Sequence, residues 1–315
     1  MTKTAIAILT HNAPDRAMAL KYCLGNLITY SNLRNFDIHL FLDGVNQEIE
    51  DVVMQYLKKQ DRENFANCFN VHINVDEPNG CGQSMNWVWE TTKDYEYTLM
   101  LEGDWILMPS VHANWLNDLQ SFMDNNVDVS TFMLRHFMNP LECRQFGPRY
   151  MDPRNVECYA SMIFDNDIKD IELRKNCNYT NNPHLRRNKM YKNIFPLDVS
   201  LGKDVKGTEH WGAPEIKAEL FLNDHLVAYD GIGCFVHYEF VVGGYVDKDG
   251  LEIDSNTISK LSPVKCPYSE NVCRFEFNSI DDKNWCEHGC NKCAKKNIVD
   301  IDVMFIDYLR KSNKL

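Results

Sequence analysis

No run of the ~20 apolar residues that a membrane-spanning helix needs occurs in this 315-residue sequence. An ordinary helical span is thereby excluded. A basic leader with an apolar stretch behind it is missing too, because the chain runs almost at once into the strand-like segment Ala5-Ile6-Ala7-Ile8-Leu9. The expectation is a cytoplasmic protein without a signal peptide. Positive charge is scarce, 33 Lys and Arg against 45 Asp and Glu for a net −12, so a broad electrostatic grip on nucleic acid or an anionic membrane is not expected. Internal repeats, low-complexity tracts and long linkers are absent as well. What remains is ordinary globular material, 44% hydrophobic and 25% charged, long enough for one large domain or two small ones. Cysteine is the exception. The 12 cysteines are many for a reducing compartment, where they are read as thiols or metal ligands, and the sequon Asn178-Tyr179-Thr180 is expected to be idle.

Over the first 140 residues short apolar strands alternate with amphipathic helices. Ala5 to Leu9 reads as a buried strand, and Leu20, Leu24, Leu27 and Ile28 form a helical stripe after the start signal Pro14-Asp15. Phe36 to Leu42 is a second strand, Ile49, Val52, Val53 and Leu57 mark a helix, Val71 to Val75 a strand, Met85 to Thr92 a helix and Tyr97 to Leu101 a fourth strand. Such alternation implies parallel pairing through right-handed crossovers, hence a three-layer α/β sheet, whose ligands lie beyond the carboxyl ends of its strands. Four such ends are polar or glycine-bearing: Thr10-His11-Asn12, Asp43-Gly44, the stretch Asp76 to Gly82, and Glu102-Gly103-Asp104. Turn chemistry explains any one of them. Further on the pattern loosens, with strands expected at Cys158 to Phe164 and Cys234 to Phe240, a basic loop or short helix at Pro183 to Lys192, and helices at Pro214 to Asn223 and Val299 to Lys311.

The central motif is Leu99-Met100-Leu101-Glu102-Gly103-Asp104-Trp105-Ile106-Leu107, an apolar strand that breaks into two carboxylates one residue apart. Alternate carboxylates at a strand end address one cleft, and a hard divalent cation needs such oxygen ligands. Here the sequence resembles the GT-A nucleotide-sugar glycosyltransferases, closest in style to the family-two-like members, well over residues 4 to 107 and more loosely over 205 to 240. The T-x-N-R-like loop of that family is matched by Thr10-His11-Asn12-Ala13-Pro14-Asp15-Arg16, and its nucleoside aspartate by Asp43. Its N-x-G loop and helical asparagine are matched by Asn79-Gly80 and Asn86 with Gly82-Gln83-Ser84 between, and its D-x-D motif by Glu102-Gly103-Asp104. The second strand lacks the doubled aspartate of many relatives, the metal motif opens with glutamate, and no Q-x-x-R-W segment of the processive synthases is present.

The resemblance implies a mostly parallel, Rossmann-like α/β sheet flanked by helices, an enzyme moving one sugar from a nucleotide-diphosphate sugar to a glycan or other hydroxyl acceptor, and a Mn²⁺ or Mg²⁺ ion. Thr10, Asn12, Arg16, Asp43, Asn79, Gly80, Ser84, Asn86 and Glu102 would bind the donor, Trp211 would stack on a sugar, and Asp104, with Glu102 and His237, would hold the metal. A departing nucleotide diphosphate is an anion that the metal neutralises as a Lewis acid. An inverting transferase needs a base, for which Glu215, in the first turn of its helix, is preferred over Glu209 and His210; the helix dipole alone also favours a carboxylate there. Arg186, Arg187 and Lys189 read as a solvated basic turn or as a loop closing over the diphosphate.

Near the C-terminus Cys266, Cys273, Cys286, Cys290 and Cys293 cluster with His288, the last three cysteines spaced C-x3-C-x2-C. This suits a structural zinc site, with disulfides as the rival in an oxidising setting. The expected organisation is a glycosyltransferase domain over 1–255, split into a nucleotide half (1–107) and an acceptor half (108–255), then a cysteine-rich tail and terminal helix over 256–315. Two other readings stay open: a non-catalytic GT-A-like module that binds carbohydrate or a partner, and a nucleotidyltransferase, although no glycine-rich, lysine-bearing phosphate loop follows the first strand. A bacterial, phage or viral type of enzyme fits this combination.

Overall fold

The computed structural model describes residues 3–13, 16–44, 46–58, 66–75, 80–134, 158–160, 169–174, 183–197, 225–230, 233–238, 264–265 and 272–273, together with 305 and 309. Its first part alternates β1 (Thr4–His11), α1 (Arg16–Tyr30), β2 (Asp37–Asp43), α2 (Gln47–Leu57), β3 (Cys68–Asn74), α3 (Cys81–Thr92) and β4 (Tyr97–Glu102). Then follow β5 (Trp105–Leu107), α4 (Trp115–Asn125), β6 (Val129–Met133), β7 (Cys158–Ala160), β8 (Lys169–Arg174), β9 (His184–Arg187), α5 (Asn188–Tyr191), β10 (Leu226–Asp230), β11 (Phe235–His237), β12 (Val264–Lys265) and β13 (Val272–Cys273).

Nine strands form one sheet in the order β3-β2-β1-β4-β9-β6-β10-β8-β7. β1, β2, β3 and β4 pair in parallel, and β9 is antiparallel to both its neighbours. β10 follows β6, and β8 opposes both β10 and β7, so all strands but β8 and β9 share one direction. The expected mostly parallel α/β sheet is therefore present. β1 and β2 are buried on both faces, which is why they read as nearly unbroken apolar runs. Ile6, Ile8, Ile38, Leu40, Leu42, Leu99 and Leu101 face one core with Leu20, Leu24 and Leu27 of α1, Ile49 and Val53 of α2, and Leu116 and Leu119 of α4. Ala7, Phe41 and Met100 face the other side, under Val88 and Trp87 of α3. The crossovers after β1 and β3 thus lie on opposite faces. The sheet's switch point falls between the carboxyl ends of β1 and β4.

The basic segment is neither a loop nor solvated. Arg186 and Arg187 lie in β9, 0% and 2% exposed, and only Lys189 of the trio is exposed. Arg186 sits among the rings of Trp89, Tyr191 and Phe195, with its carbon 5.0 to 5.7 Å from their centroids. Arg187 donates to the Tyr97 hydroxyl (2.8 Å) and to the carbonyls of Val129 (3.2 Å), Asn126 (3.2 Å) and Met123. Both charges are consumed in joining β9 to its neighbours, so neither serves the diphosphate.

One polar chain crosses the α3 face. The Tyr95 hydroxyl donates to Asp37 Oδ2 (2.9 Å), which leaves its oxygen to accept from His39 Nε2 (3.0 Å). His39 Nδ1 must then accept from His72 Nε2 (3.0 Å). Burial is the main cause that lowers the pKa of both imidazoles, and for His39 the neighbouring His72 adds to it. A histidine depressed in the folded chain binds its proton first in the unfolded one, so folding stability is full above the ordinary value of 6.5 and is lost as pH falls through it. The melting temperature is expected to drop between pH 7.5 and 5.5, and the drop to shrink in His72→Gln. An unchanged slope in that variant would refute the assignment.

Several element boundaries differ from expectation. β3 begins at Cys68, three residues early, and β11 covers only Phe235–His237; of the strand expected at 158–164, Cys158–Ala160 is present and the rest lies outside the described residues. The start signal Pro14-Asp15 and the helix expected at 214–223 lie outside the described residues. Of the expected terminal helix, Phe305 and Leu309 are described, both helical, Leu309 buried.

Candidate functional site

The parallel register sets the site's floor. His11 lies opposite Asp43, and Leu9 opposite Glu102, while the Gly103 N–H extends the ladder by donating to the Leu9 carbonyl at 2.7 Å. Thr10, Asp43 and the Glu102-Gly103-Asp104 turn therefore share one end of the sheet, at its switch point. Gly103 is dictated by close approach: a Cβ there would stand 2.9 Å from Thr10 Cβ and 3.0 Å from its Oγ1. Thr10 is 3% exposed, and its hydroxyl has no hydrogen-bond partner among the described residues.

Asp104 is the most constrained charge of the group. After it the chain leaves the large sheet as β5, which pairs with β11 so that His237 lies opposite Trp105. The Tyr238 N–H donates to the Asp104 carbonyl at 2.6 Å, and the His237 ring stands edge-on to Trp105. This folding-back brings His237 Nε2 to 3.1 Å from Asp104 Oδ2, and the Arg16 guanidinium, at the start of α1, pairs with the same oxygen. Asp104 is 3% exposed, yet its other oxygen, Oδ1, has no hydrogen-bond partner among the described residues. Burial pushes the Glu102 carboxyl above its ordinary range, against the pull of the His237 and Arg16 charges.

A buried carboxylate oxygen without a donor is costly unless something positive reaches it, so Asp104 suits a cation. The wider set expected from the sequence is not assembled: no group of three or more His, Cys, Asp or Glu side chains that could hold a metal ion occurs among the described residues. Asp104 and His237 meet, but Arg16 already occupies their shared oxygen.

Asp43 is positioned on both sides. Its Oδ2 accepts from Ser84 Oγ at 2.7 Å and its Oδ1 from Asn74 Nδ2 at 2.8 Å, while the Asn74 carbonyl accepts from the Gly44 N–H. Gly44 adopts φ +80°, and a Cβ on it would meet the Asn12 amide at 2.9 Å, so Asn12 packs over this turn. Gly80 (φ 81°) opens α3 and aims its first turn at Asp43. Asn74 also lines a cavity of about 420 Å³ with Ile73, Gln83, Asn86, Trp87 and Glu90. No motif singles out Asn74. Its signal is positional, since the last residue of β3 falls opposite Asp43.

Asn86 plays a structural part, because its Nδ2 donates to the Leu197 carbonyl (2.9 Å) and its Oδ1 accepts from the Leu197 N–H (2.6 Å). Asn79, Glu209, His210, Trp211, Glu215, Cys266, Cys286, His288, Cys290 and Cys293 lie outside the described residues, and Cys273 is described only as backbone in β13. Cys23, Cys68, Cys81 and Cys234 are free thiols, Cys23 and Cys234 being buried.

No protein-family model matches the sequence, and no curated protein does. In structure the chain is similar to solved GT-A glycosyltransferases. Among them are TarS 1-349 of S. aureus in complex with UDP (13% identity, 74% of this chain and 60% of that one, TM-score 0.47) and GalNAc-T7 with UDP, GalNAc and Mn²⁺ (10%, 75% and 44%, 0.47). A third is the mannosyltransferase PcManGT from Pyrobaculum calidifontis in complex with GDP-Man and Mn²⁺ (10%, 72% and 56%, 0.41). The chain spans 44% to 60% of the length of these three. Since every TM-score is below 0.5, the reading of the site rests on its own geometry.

Proposed function

We propose that the protein is a metal-dependent glycosyltransferase that moves one sugar from a nucleotide-diphosphate sugar to an acceptor hydroxyl, with inversion. The observation that carries this reading is Asp104: a buried carboxylate at the switch point, with His237 folded onto one oxygen and the other left unpartnered among the described residues. An α/β sheet binds its ligand at this place. A divalent cation would be held by Asp104 and His237 and would supply Lewis-acid neutralisation of the departing diphosphate.

The chain's own residues do the rest. Asp43, fixed by Ser84 and Asn74, accepts an N–H from the base edge, next to the cavity. Glu102, at the end of β4 next to Asp104, accepts from a ribose hydroxyl. Arg16 presents positive charge to the phosphates. By its place in the motif Glu215 takes the acceptor's proton as the hydroxyl oxygen attacks the anomeric carbon, with Glu209 or His210 as substitutes.

The test is a thermal-shift panel of UDP, GDP, CMP and their sugar conjugates, with and without Mn²⁺, followed by donor turnover with simple glycoside acceptors. A Mn²⁺-dependent rise with one nucleotide, of about 2.7 kcal/mol at a hundred-fold excess over Kd, is the expected result. Binding without turnover over many acceptors would leave a binding module instead. No shift with any nucleotide would end the donor reading altogether.

A further inference from the structure

We propose that Arg16 is a built-in counter-cation that holds Asp104 against a free metal ion and gives it up when a diphosphate arrives, so that metal and nucleotide bind as a pair. This deepens the glycosyltransferase reading and rests on it. Arg16 and the His237 ring converge on a single oxygen of Asp104, whose side chain is 4% exposed, while the Arg16 side chain is 22% exposed and has water to move into. The guanidinium also stands at an unfavourable place. It is the first residue of α1, at the positive end of the helix dipole, and no acidic residue occupies the first turn to offset it. Asp104 offsets the charge there through its ion pair.

A guanidinium and a divalent cation cannot share one carboxylate oxygen without strong repulsion. A metal ion arriving alone must displace Arg16 and leave it facing both the helix dipole and the new charge. A diphosphate changes this balance: guanidinium groups pair well with phosphate oxygens, so Arg16 gains a new partner as it releases the old one. The consequence is positive coupling between metal and nucleotide, which by linkage is reciprocal.

The experiment follows free Mn²⁺ by its electron paramagnetic resonance signal during titration of the full chain, first alone and then with UDP and GDP in parallel. Wild type is expected to bind Mn²⁺ weakly alone and at least tenfold more tightly with the nucleotide it uses. Arg16→Gln is expected to bind Mn²⁺ alone at least tenfold more tightly than wild type, and to lose most of the nucleotide's enhancement. Arg16→Lys keeps the charge and should stay near wild type, while Asp104→Asn in the Arg16→Gln background should abolish the gain. Urea midpoints confirm that each variant is folded. Unchanged or weaker Mn²⁺ binding in Arg16→Gln overturns the proposal, as does an equal gain in Arg16→Lys, and in both cases nucleotide-stimulated binding by wild type leaves the glycosyltransferase reading intact. Absence of Mn²⁺ binding in every protein, with and without nucleotide, overturns both.

Discussion

Asp104→Asn is expected to lower sugar transfer by about 10³-fold or more while the chain stays folded. Asparagine keeps the shape and one acceptor oxygen but removes the charge that would hold a divalent cation. Losing a pre-placed electrostatic group at a departing anion costs about 10²–10³ in rate, and loss of the cation itself removes several kcal/mol more. The stability cost should be smaller, about 1–2 kcal/mol, because the released Arg16 side chain is 22% exposed and can hydrate rather than stay buried and unpaired. Turnover of the donor selected by thermal shift, read with and without a chelator, and a urea midpoint check the two halves. Full activity in Asp104→Asn would remove the mechanism. Lost activity together with lost structure would show that Asp104 is chiefly a fold residue.

The largest effect on stability should come from Arg187→Ala, about 3–5 kcal/mol, the range found when one side of a buried charged network is removed. Arg187 is 2% exposed and bridges three elements: Tyr97 of β4, Val129 of β6, and the Met123 and Asn126 carbonyls at the end of α4. Those two carbonyls each accept one backbone N–H, from Asn126 (3.3 Å) and Val129 (3.0 Å), and the negative end of the α4 dipole favours a cation as their second donor. The variant removes the charged donor they share with Tyr97 and Val129 and leaves a void where a buried guanidinium stood. Arg187→Lys should recover only part of the loss, since one ammonium cannot reach all the acceptors that a planar fork reaches. Urea unfolding of the three proteins measures this, and a loss under about 1 kcal/mol for alanine would contradict the network's weight.

Much of the first half is legible because its strands are buried on both faces and its helices carry apolar stripes. Ile6, Ile8, Leu40 and Leu101 announce themselves by composition, and Asp43 and Asp104 by interrupting such runs. β9 is not legible. Hydropathy scores His-Leu-Arg-Arg as surface, and only the tertiary box of Trp89, Tyr191 and Phe195 makes Arg186 a core residue. Asn86 has a second bond set that spacing cannot show: besides lining the cavity, its amide exchanges two hydrogen bonds with the Leu197 backbone. The meeting of Asp104 and His237 is what the family resemblance implies, and the chain reaches it by folding β11 back along β5. Its third member, Arg16 on Asp104, requires the register of β1 against β4 and the start of α1.

The insertion of β9 between β4 and β6 has a price during synthesis. β4 ends at Glu102 and β6 at Met133, but the strand that joins them begins at His184, so the emerging chain carries two bare hydrogen-bonding edges for at least fifty residues of elongation. Pairing so distant in sequence forms slowly, and unfinished edges are templates for other nascent chains. A ribosome-bound fragment ending near residue 134 should therefore recruit chaperones and self-associate, with partial relief once Arg187 has cleared the exit tunnel and more once Asp230, the end of the strand that covers the other edge of β6, has followed.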